Sequence, residues 1–497
     1  MIIPLATYNY HHFISEHSVK INECLVLFEG QITNRESLKK RLEFEGDEAV
    51  LIERAYKKWG ATFVNQLEGS FFITLLDAAK KTVLVYRDRF GILPCYYHRT
   101  DHFFACSTQL KQLLELPSIS PKLNQLAVGD YLSYGFVHAP QTLVQGIAQL
   151  LPGHYLRLTD DEVTVQPYWS ATDQYDYTID ERTEEQQAFH INRISEELPP
   201  IQIAAEAGAF NCSSSELLNA IPSIDHPTAH SLGYFAALNQ HTTNTTDLGS
   251  VIGHSVLWGE GALYETLESF QDHRWLLSYP KSLRKLISKL LKIPHKSALE
   301  ATYQQLIIQD YYDLDYLYPT YKRLYPIAPL QKSIGNTLVD TAKQIAQASV
   351  VFQTPGFVYP YLAKVGLMEL QTTVANSQLS SIYQASKVVG KKVRFPFLDQ
   401  KLQRYLLHLP DKQKVNLRPQ YKLEVDAEVS AHLLVNTLEE STKVNLFHKF
   451  QQRPFVKGQL KEDLQQNFNR LTLAKRTQLQ ESILLLELWL TENKVDE

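Results

Sequence analysis

The first third of the chain is divided into short apolar runs that are separated by turn-forming residues. The runs are CLVLF from position 24, GSFFITLL from 69, KTVLVY from 81 and DHFFACS from 101. Such runs, rich in β-branched and aromatic residues, are typical of strands, whereas LIERAYKKWG from position 51 has helical periodicity. Phe71 to Tyr86 predicts a hairpin whose connection runs through Asp77 to Lys81. The sequence therefore predicts an α+β domain with a layered antiparallel sheet.

Length and composition divide the 497 residues into two domains and a connection. A proline and a tryptophan close the first domain at QPYW, Gln166 to Trp169. The polar stretch ATDQYDYTIDERTEEQQ that follows is either a linker or an exposed helical connection. We predict a first domain over 1–169, a linker over 170–197 and a second domain over 198–497. The second domain begins with alternating strand and helix and is mostly helical beyond Lys281.

Two patterns within the helical part invite a functional interpretation. KSLRKLISKLLKI, from position 281, has an apolar stripe formed by Leu283, Leu286, Ile287, Leu290 and Leu291. The basic residues on its other face would suit a membrane surface or an acidic partner, but a solvated face is the favoured interpretation. DYYDLDYLYPTY offers Asp310, Asp313 and Asp315 to a cation, yet their spacing fits no calcium loop, and a surface segment is favoured.

The overall charge and the apolar content restrict the class of protein. A formal net charge of −5 gives no basic footprint for nucleic acid, so small molecules or proteins are the expected partners. There is no uncharged apolar run of about 18 residues and no signal-peptide pattern at the start, which predicts a cytoplasmic protein without a membrane partner. The cysteines form no CxxC pair and are expected to be buried free thiols: Cys24, Cys95, Cys106 and Cys212.

One short stretch raises the question of nucleotide binding. AGAFNCSS, Ala207 to Ser214, follows the apolar run IQIAA and precedes the helix-like SSELLNAI. A strand that turns tightly into a helix is the geometry in which backbone N–H groups and the helix dipole hold phosphate. The turn has few of the groups that such a loop needs. It is therefore either a nucleotide site or the remains of one.

Several stretches, taken in order, resemble the glutamine-dependent asparagine synthetase family. They are FEGQITNRESLKKRLE, AYKKWG followed by LEGSFFITLLD, YRDRFGILPCYY, VLWGEGA and VRFPFLDQKLQRYLLHLP. RDRFG, GEGA and PFLD in that order form a specific signal. The resemblance implies an α+β N-terminal nucleophile-type layered sandwich, the glutamine amidotransferase type 2 domain. It further implies an α/β pyrophosphatase-type (Rossmann-like) synthetase domain with a helical C-terminal part.

The resemblance also shows which glutaminase residues differ in this chain. The family's first domain begins with a cysteine nucleophile, whereas Ile2 stands here and Cys24 lies within an apparent strand. Glu29 replaces the asparagine that would donate to the oxyanion, and Gln31 replaces a glutamate near the glutamine amine. A carboxylate repels an oxyanion, and the loss of one donor alone costs about 3–4 kcal/mol of transition-state stabilisation. We therefore expect no glutaminase activity.

The phosphate loop departs from the family's SGGLDSS in a similar way. Ala207, Ala209, Asn211 and Cys212 replace a serine, a glycine, an aspartate and a serine, so hydroxyl groups that would bond phosphate are absent. A β-carbon at Ala209 would strain a turn with positive φ by about 1–2 kcal/mol.

The acidic residues that follow GEGA in the family are also absent from this sequence. Leu263 and Tyr264 replace the family's acidic pair after GEGA, and leucine cannot ligate a hard cation. If the register differs between 211 and 263, the acids Asp225, Asp247 and Glu265 are the alternatives. No metal and no cofactor are expected. The vestigial ATP site consists of Gly208, Ser213, Gly259, Glu260 and Gly261.

The third site, in SSIYQASKVVGKKVRFPFLD, has also changed. Tyr383, Gln384 and Ser386 replace the family's DRxSMA signal, and Lys392, with Arg394 after it, stands where a glutamate would orient or deprotonate the amine. An ammonium with an ordinary pKa near 10.4 is no base at neutral pH.

Lys422, in QYKLEV, matches the lysine that stabilises pyrophosphate in the family, although a solvent-exposed lysine is the favoured interpretation. Lys422 and Lys392 are the remaining catalytic candidates.

Three functions are consistent with these residues. The leading hypothesis is a non-catalytic family member, retained as a structural or regulatory subunit. Its partner would be a protein, such as a catalytically competent paralogue or a second copy of the chain. The first alternative is an ATP-dependent amide or lactam synthetase that uses a non-glutamine amine, with ATP and Mg as cofactors. The second alternative is a binding module whose clefts, lined by Phe210, Leu263 and Tyr264, hold an apolar ligand or a peptide.

Overall fold

A computed structural model gives the fold of the chain. It describes residues 2–4, 18–21, 24–101, 103–159, 162–170, 182–196, 212–228, 230–240, 247–259, 261, 263–267, 274–290, 314–325, 330–331, 361–421, 432–456, 459–466, 471 and 473–495.

The strands of the described residues are β1 (Ile2–Pro4), β2 (Ser18–Ile21), β3 (Cys24–Ile32), β4 (Gly69–Asp77), β5 (Thr82–Arg87), β6 (Tyr96–Arg99), β7 (Phe103–Ser107), β8 (Ile147–Gln149), β9 (His154–Leu158), β10 (Val163–Pro167), β11 (Asp247–Gly249) and β12 (Lys392–Arg394). The α-helices are α1 (Arg35–Leu42), α2 (Glu48–Trp59), α3 (Leu110–Leu114), α4 (Gln125–Tyr134), α5 (Glu184–Glu196), α6 (Ser214–Ala220), α7 (Ser231–Gln240), α8 (His254–Trp258), α9 (Lys281–Leu290), α10 (Leu314–Lys322), α11 (Tyr361–Glu369), α12 (Leu379–Val389), α13 (Gln400–His408), α14 (Asp411–Leu417), α15 (Leu433–Thr437), α16 (Glu440–Gln451), α17 (Gln459–Gln466) and α18 (Leu473–Glu492). A π-helical segment, Leu370–Gln378, joins α11 to α12, and short 3-10 helices cover Gly60–Gln66, Ile221–Ser223, Arg274–Ser278, Pro396–Leu398 and Arg418–Gln420.

The first domain contains two antiparallel sheets, as the apolar runs predict. The larger sheet has the strand order β10-β9-β5-β4-β3-β2, and the smaller has the order β1-β7-β6-β8. The predicted hairpin is confirmed, because β4 pairs antiparallel with β5 and Asp77 faces Thr82 across the turn. The helix predicted around LIERAYKKWG is α2, whose N-cap residue Asp47 accepts a hydrogen bond from the N–H of Val50.

Strand alternation divides the large sheet into two apolar faces. Residues such as Phe71, Ile73 and Leu84 pack with α1 and α2 in one cluster. Their neighbours, such as Phe72 and Val83, pack towards Phe104 and Cys106 of the small sheet. The far face of the small sheet is covered by α3 and α4. The domain is therefore a four-layer sandwich of helices, sheet, sheet and helices, which confirms the layered α+β prediction.

The RDRFG motif is a buried polar brace at the end of β5. The guanidinium of Arg87 is fully buried and donates to three carbonyl oxygens, those of Gly91, Leu93 and Leu150, at 2.6–2.9 Å. The Asp88 carboxylate accepts from the N–H groups of Phe90, Ile92 and Leu93. Every one of these partners is a backbone group, so the motif fixes the turn after β5 and serves the fold.

The described residues beyond the first domain are mostly helical. Their strands are the parallel pair β11 and β12, in which Asp247 faces Lys392 and Gly249 faces Arg394. The polar stretch 170–197 contains α5, whose Ile191 is buried and whose Gln187 donates to the side chain of Gln413 on α14. The run IQIAA lies outside the described residues, as do Asp310 and Asp313. Within the described part of the chain no cluster of three metal-ligating side chains occurs.

Two hydrophobic cores continue across the predicted boundary between the halves. One joins Phe72 and Val85 of the large sheet to Ile382 of α12 and Leu406 of α13. The other joins α4 to α18, where the hydroxyl of Tyr131 donates to the carbonyl of Ser482. The halves are thus packed on each other through apolar side chains.

The state of the cysteines agrees with the prediction from the sequence. All four cysteines are buried and free. Within the described ranges, no helix combines the length and the apolar character that crossing a membrane requires.

We expect the Arg87→Lys variant to lower the thermal midpoint of unfolding by roughly 5 °C or more, since an ammonium reaches fewer of the three carbonyl groups than a guanidinium does. Each hydrogen bond lost to a charged donor costs about 1.5–3 kcal/mol. The measurement is near-UV circular dichroism during heating. Arg99→Lys, at an exposed position of β6, is the matched control and should leave the midpoint unchanged. An equal shift in both variants would contradict the bracing role.

Candidate functional site

The N-terminal strand lies where the resemblance places the nucleophile. Ile2 belongs to β1 and pairs with Ala105 of β7, and its alkyl side chain has no nucleophilic atom. Cys24 is the first residue of β3, as the sequence predicts, and burial raises the pKa of its thiol to about 11. A thiol with that pKa is almost entirely protonated at neutral pH and is therefore a poor nucleophile.

Glu29, in the middle of β3, is held by three side chains. Its Oε2 accepts a hydrogen bond from the Thr108 hydroxyl at 2.9 Å, and its Oε1 accepts one from the Tyr383 hydroxyl at 2.6 Å. The ammonium of Lys387 forms an ion pair with the same Oε1. Tyr383 and Lys387 lie one turn apart on α12, so the carboxylate joins the first domain to the second half of the chain. We call these four residues the Glu29 cluster.

The electrostatics of the Glu29 cluster favour the charged carboxylate. Burial by itself would raise the pKa of Glu29, but the hydrogen bonds from Lys387, Tyr383 and Thr108 outweigh it and hold the pKa below its ordinary value. Burial, together with the nearby carboxylate, raises the pKa of the Tyr383 phenol far above its usual range, so this hydroxyl stays a donor. An anion that is already bonded in this way occupies the position expected for an oxyanion donor.

The Glu29 cluster also joins two of the predicted sites. Tyr383 belongs to the third site of the sequence analysis, and Glu29 belongs to the first. Sequence reasoning missed Lys387 and Thr108. The spacing of four residues between Tyr383 and Lys387 was the available signal, since residues four apart in a helix share a face. Gln31, two residues beyond Glu29 on the same strand, is exposed.

The other residues of the third site are bonded within their own helix or lie in solvent. The Ser386 hydroxyl donates to the carbonyl of Tyr383 at 2.7 Å, and the Gln384 amide donates to the Ser380 hydroxyl at 3.3 Å. Lys392 is exposed on β12, so solvent surrounds the amine. Lys422 lies outside the described residues.

Asp399 of the PFLD motif accepts hydrogen bonds from the N–H groups of Lys401 and Leu402. The aspartate therefore caps α13 and serves the fold.

The described end of AGAFNCSS forms a helix cap. Residues 207–211, with Gly208, lie outside the described part, and Cys212 is buried in a hydrophobic core. The Ser213 hydroxyl accepts from the N–H of Glu216 at 3.3 Å, and the Glu216 carboxylate accepts from the Ser213 N–H at 2.8 Å. This reciprocal capping box uses the groups that a phosphate would need at the start of α6. The bonds from Ser213 lower the pKa of Glu216, so the carboxylate places a negative charge there.

The GEGA turn leads into a hydrophobic core. Gly259 ends α8 with a left-handed φ of 65°, and Gly261 has a φ of 100°, whereas Glu260 lies outside the described residues. Leu263 and Tyr264 are 8% and 3% exposed and pack in a cluster with Leu267, Leu314, Leu317, Tyr318, Leu362, Val365 and Met368. The expectation that Leu263 and Tyr264 line an open cleft is therefore wrong, because apolar packing covers both. Phe210, the third residue of that expectation, lies outside the described part.

Among the described side chains, the alternative acids form no group of metal-ligating residues. Asp225 is buried and accepts a hydrogen bond from the N–H of Lys111 at 3.1 Å, at the start of α3. Glu265 is exposed, and the side chain of Asp247 is not among those described.

Residues 16–169 match the model of the glutamine amidotransferase domain family. Asparagine synthetase [glutamine-hydrolyzing] 3 of Bacillus subtilis is 26% identical over 167 residues, which are 31% of this chain and 27% of that protein. Asparagine synthetase [glutamine-hydrolyzing] 2 of the same organism is 31% identical over 160 residues, 30% of this chain and 21% of that protein. The chain therefore carries a glutamine amidotransferase domain over residues 16–169, and this part is similar to asparagine synthetases. Its first domain is of the glutamine amidotransferase type, with an antiparallel sheet.

The chain spans less than a third of the length of these curated relatives. Among solved structures, the glutamine phosphoribosylpyrophosphate amidotransferase of B. subtilis is 12% identical, with a TM-score of 0.21 over 36% of this chain and 39% of that one. So low a score supports no further conclusion.

We expect Glu29→Gln to lower the free energy of unfolding by about 1–3 kcal/mol at pH 7, because charge-assisted hydrogen bonds to Tyr383 and Lys387 are lost. The folded pKa of Glu29 is lowered, so the stabilisation is present above the ordinary pKa of 4.5 and is lost as the pH falls through the folded value. The difference in thermal midpoint between wild type and variant should therefore shrink below about pH 4.5.

Glu45→Gln is the matched control for this measurement. Glu45 is exposed and pairs with Lys39, and exposed pairs contribute about 0–1 kcal/mol. A destabilisation by Glu29→Gln that is independent of pH would argue against an ionised Glu29.

Proposed function

We propose that this chain is a non-catalytic member of the asparagine synthetase-like family that acts as a structural or regulatory subunit. In this proposal it has neither glutaminase nor ATP-dependent amide-forming activity and uses no cofactor. Residues 198–497 keep a synthetase-type α/β fold for packing. The partner is a protein, with a catalytically competent paralogue as the first candidate.

The Glu29 cluster is the observation that carries the proposal. The position expected of an oxyanion donor holds an ionised carboxylate, and Thr108, Tyr383 and Lys387 satisfy it. Removal of one oxyanion donor slows acyl transfer about 10²–10³-fold, and a fixed negative charge adds repulsion. Turning Glu29 away would break bonds that join the two halves. In this proposal, the Glu29 carboxylate stabilises the contact between the two halves and does not take part in glutamine hydrolysis.

Two further observations support the same proposal at the ATP site. At the start of α6, the Glu216 carboxylate accepts hydrogen bonds from Ser213. Its negative charge would repel a phosphate group there. Leu263 and Tyr264 are buried among apolar side chains and offer no oxygen pair for Mg²⁺. In this proposal the described residues of the former ATP site serve as a helix cap, Ser213 with Glu216, or as core, Leu263 with Tyr264.

The test measures chemistry and binding on the full-length chain. Glutamate release from glutamine, pyrophosphate release from ATP with aspartate and ammonia, and calorimetric binding of ATP with Mg²⁺ at millimolar ligand should all be at background. A glutamine-hydrolysing asparagine synthetase, measured in parallel, is the positive control. Magnesium-dependent ATP binding at micromolar concentration would refute the proposal and favour the amide or lactam synthetase.

A separate experiment tests the role as a subunit. We expect the chain to form a stable complex with a competent paralogue from the same genome, measured by analytical ultracentrifugation. The kcat or KM of that paralogue should also change on addition of the chain. A paralogue that sediments alone and keeps both constants would contradict the regulatory role.

A further inference from the structure

An exposed apolar stripe runs along α9 and the turn before it. Trp275, Tyr279, Leu283 and Leu286 are 57%, 42%, 39% and 52% exposed. Trp275 lies in the 3-10 helix Arg274–Ser278 and Tyr279 in the bend after it, whereas Leu283 and Leu286, three residues apart on α9, share one side of that helix. The rings of Trp275 and Tyr279 are in edge contact, with centroids 5.9 Å apart. We call these four residues the α9 stripe.

The helix contacts the protein with another side. Arg284, on α9, is 5% exposed, and its Nε donates to the carbonyl of Tyr279 at 3.2 Å. The N–H groups of Leu283 and Arg284 donate to the carbonyl of Pro280, which fixes the start of the helix. The sequence pattern predicts one apolar face, but the protein covers the arginine and leaves Leu283 and Leu286 in solvent. The α9 stripe is therefore an apolar surface that the described residues leave exposed.

The charge around the stripe is of a single sign. Between positions 274 and 299 the sequence has seven lysine or arginine residues and no aspartate or glutamate, although the whole chain has a net charge of −5. Lys281 and Lys285 are exposed on α9 beside the stripe. Ordinary exposed helices carry both signs interspersed. A partner for this surface must therefore be apolar at its centre and anionic at its edge.

We propose that the α9 stripe docks on the surface of an anionic phospholipid bilayer. Tryptophan and tyrosine prefer the level of the lipid headgroups, leucines enter the acyl boundary, and flanking lysines extend to the phosphates. A protein interface is a poorer fit, because lysine is depleted in such interfaces. The helix lies on the surface and does not cross it. The proposal goes beyond the subunit function and does not depend on it.

The first experiment is vesicle co-sedimentation of the full-length chain. The chain should bind vesicles of phosphatidylcholine with about 30% phosphatidylserine and release them as salt rises towards 1 M, since the Debye length then falls to about 3 Å. Vesicles of phosphatidylcholine alone should bind far less. The fluorescence of Trp275 should shift to the blue on binding, and Trp275→Phe should abolish the shift.

Two variants separate the charge from the apolar contribution. Lys281→Gln with Lys285→Gln should weaken binding to anionic vesicles about 25-fold, since each surface lysine contributes about fivefold. Leu283→Gln with Leu286→Gln should weaken it by about tenfold or more through lost apolar burial. All four side chains are exposed, so the thermal midpoint should stay unchanged, and the variants remain informative.

Matched controls are available elsewhere on the surface. Lys40→Gln with Lys412→Gln removes two exposed lysines, and Val444→Gln removes an apolar side chain that is 63% exposed. Both controls should bind vesicles as the wild type does. The proposal is overturned if the chain does not sediment with anionic vesicles, if the controls lose binding equally, or if it binds only an acidic polypeptide such as polyglutamate.

Discussion

The packing of the C-terminal helix α18 against the first domain is the constraint that the other features of the molecule depend on. The hydroxyl of Tyr131 on α4 donates to the carbonyl of Ser482 on α18, and α4 and α18 share one hydrophobic core. Within the second half, the indole of Trp489 on α18 donates to the carbonyl of Ile224. Burial of each large apolar side chain in such a core contributes about 1.5–3 kcal/mol, more than an exposed ion pair does. Apolar packing therefore holds the halves together, and the Glu29 cluster fixes their geometry at one edge.

The internal bonding of polar side chains in this protein follows from the cost of leaving such groups without a partner. Asp225, which is buried, and Glu29, which is half-buried, find hydrogen-bond partners inside the protein, and the exposed Ser213 finds one in its own helix cap. Once satisfied, these groups cannot bind a ligand unless bonds of about 0.5–1.5 kcal/mol each, or more for charged groups, are broken first. Leu263 and Tyr264 are also held inside the protein, in their case by contacts with apolar side chains. A ligand would have to compete with the fold at every one of these positions.

Local patterns predict β3, β4, β5, β7 and α2 of the first domain, because alternation and turn residues act over a few positions. The hairpin from Phe71 to Tyr86 needs only its own sequence. The pattern S-x-x-E from Ser213 to Glu216 also predicts a capping box from local sequence alone, whereas the resemblance of the loop to SGGLDSS suggests a phosphate site. By contrast, Glu29 and Tyr383 are 354 residues apart, and no local signal predicts that they meet. Contacts of that separation depend on how the two halves pack.

The α9 stripe shows a different limit of periodicity. A hydrophobic pattern of helical period establishes which side chains share a face, but it says nothing about what covers that face. The pattern of Leu283 and Leu286 is compatible with a core helix and with a surface helix. The structure distinguishes the two, because Arg284 is buried and the two leucines are exposed. The run of seven positive charges without an acid was visible in the sequence from the start. Because the leucines are exposed beside the lysines, this surface offers apolar and cationic groups together. That combination complements an anionic bilayer, which an ordinary solvated basic face does not.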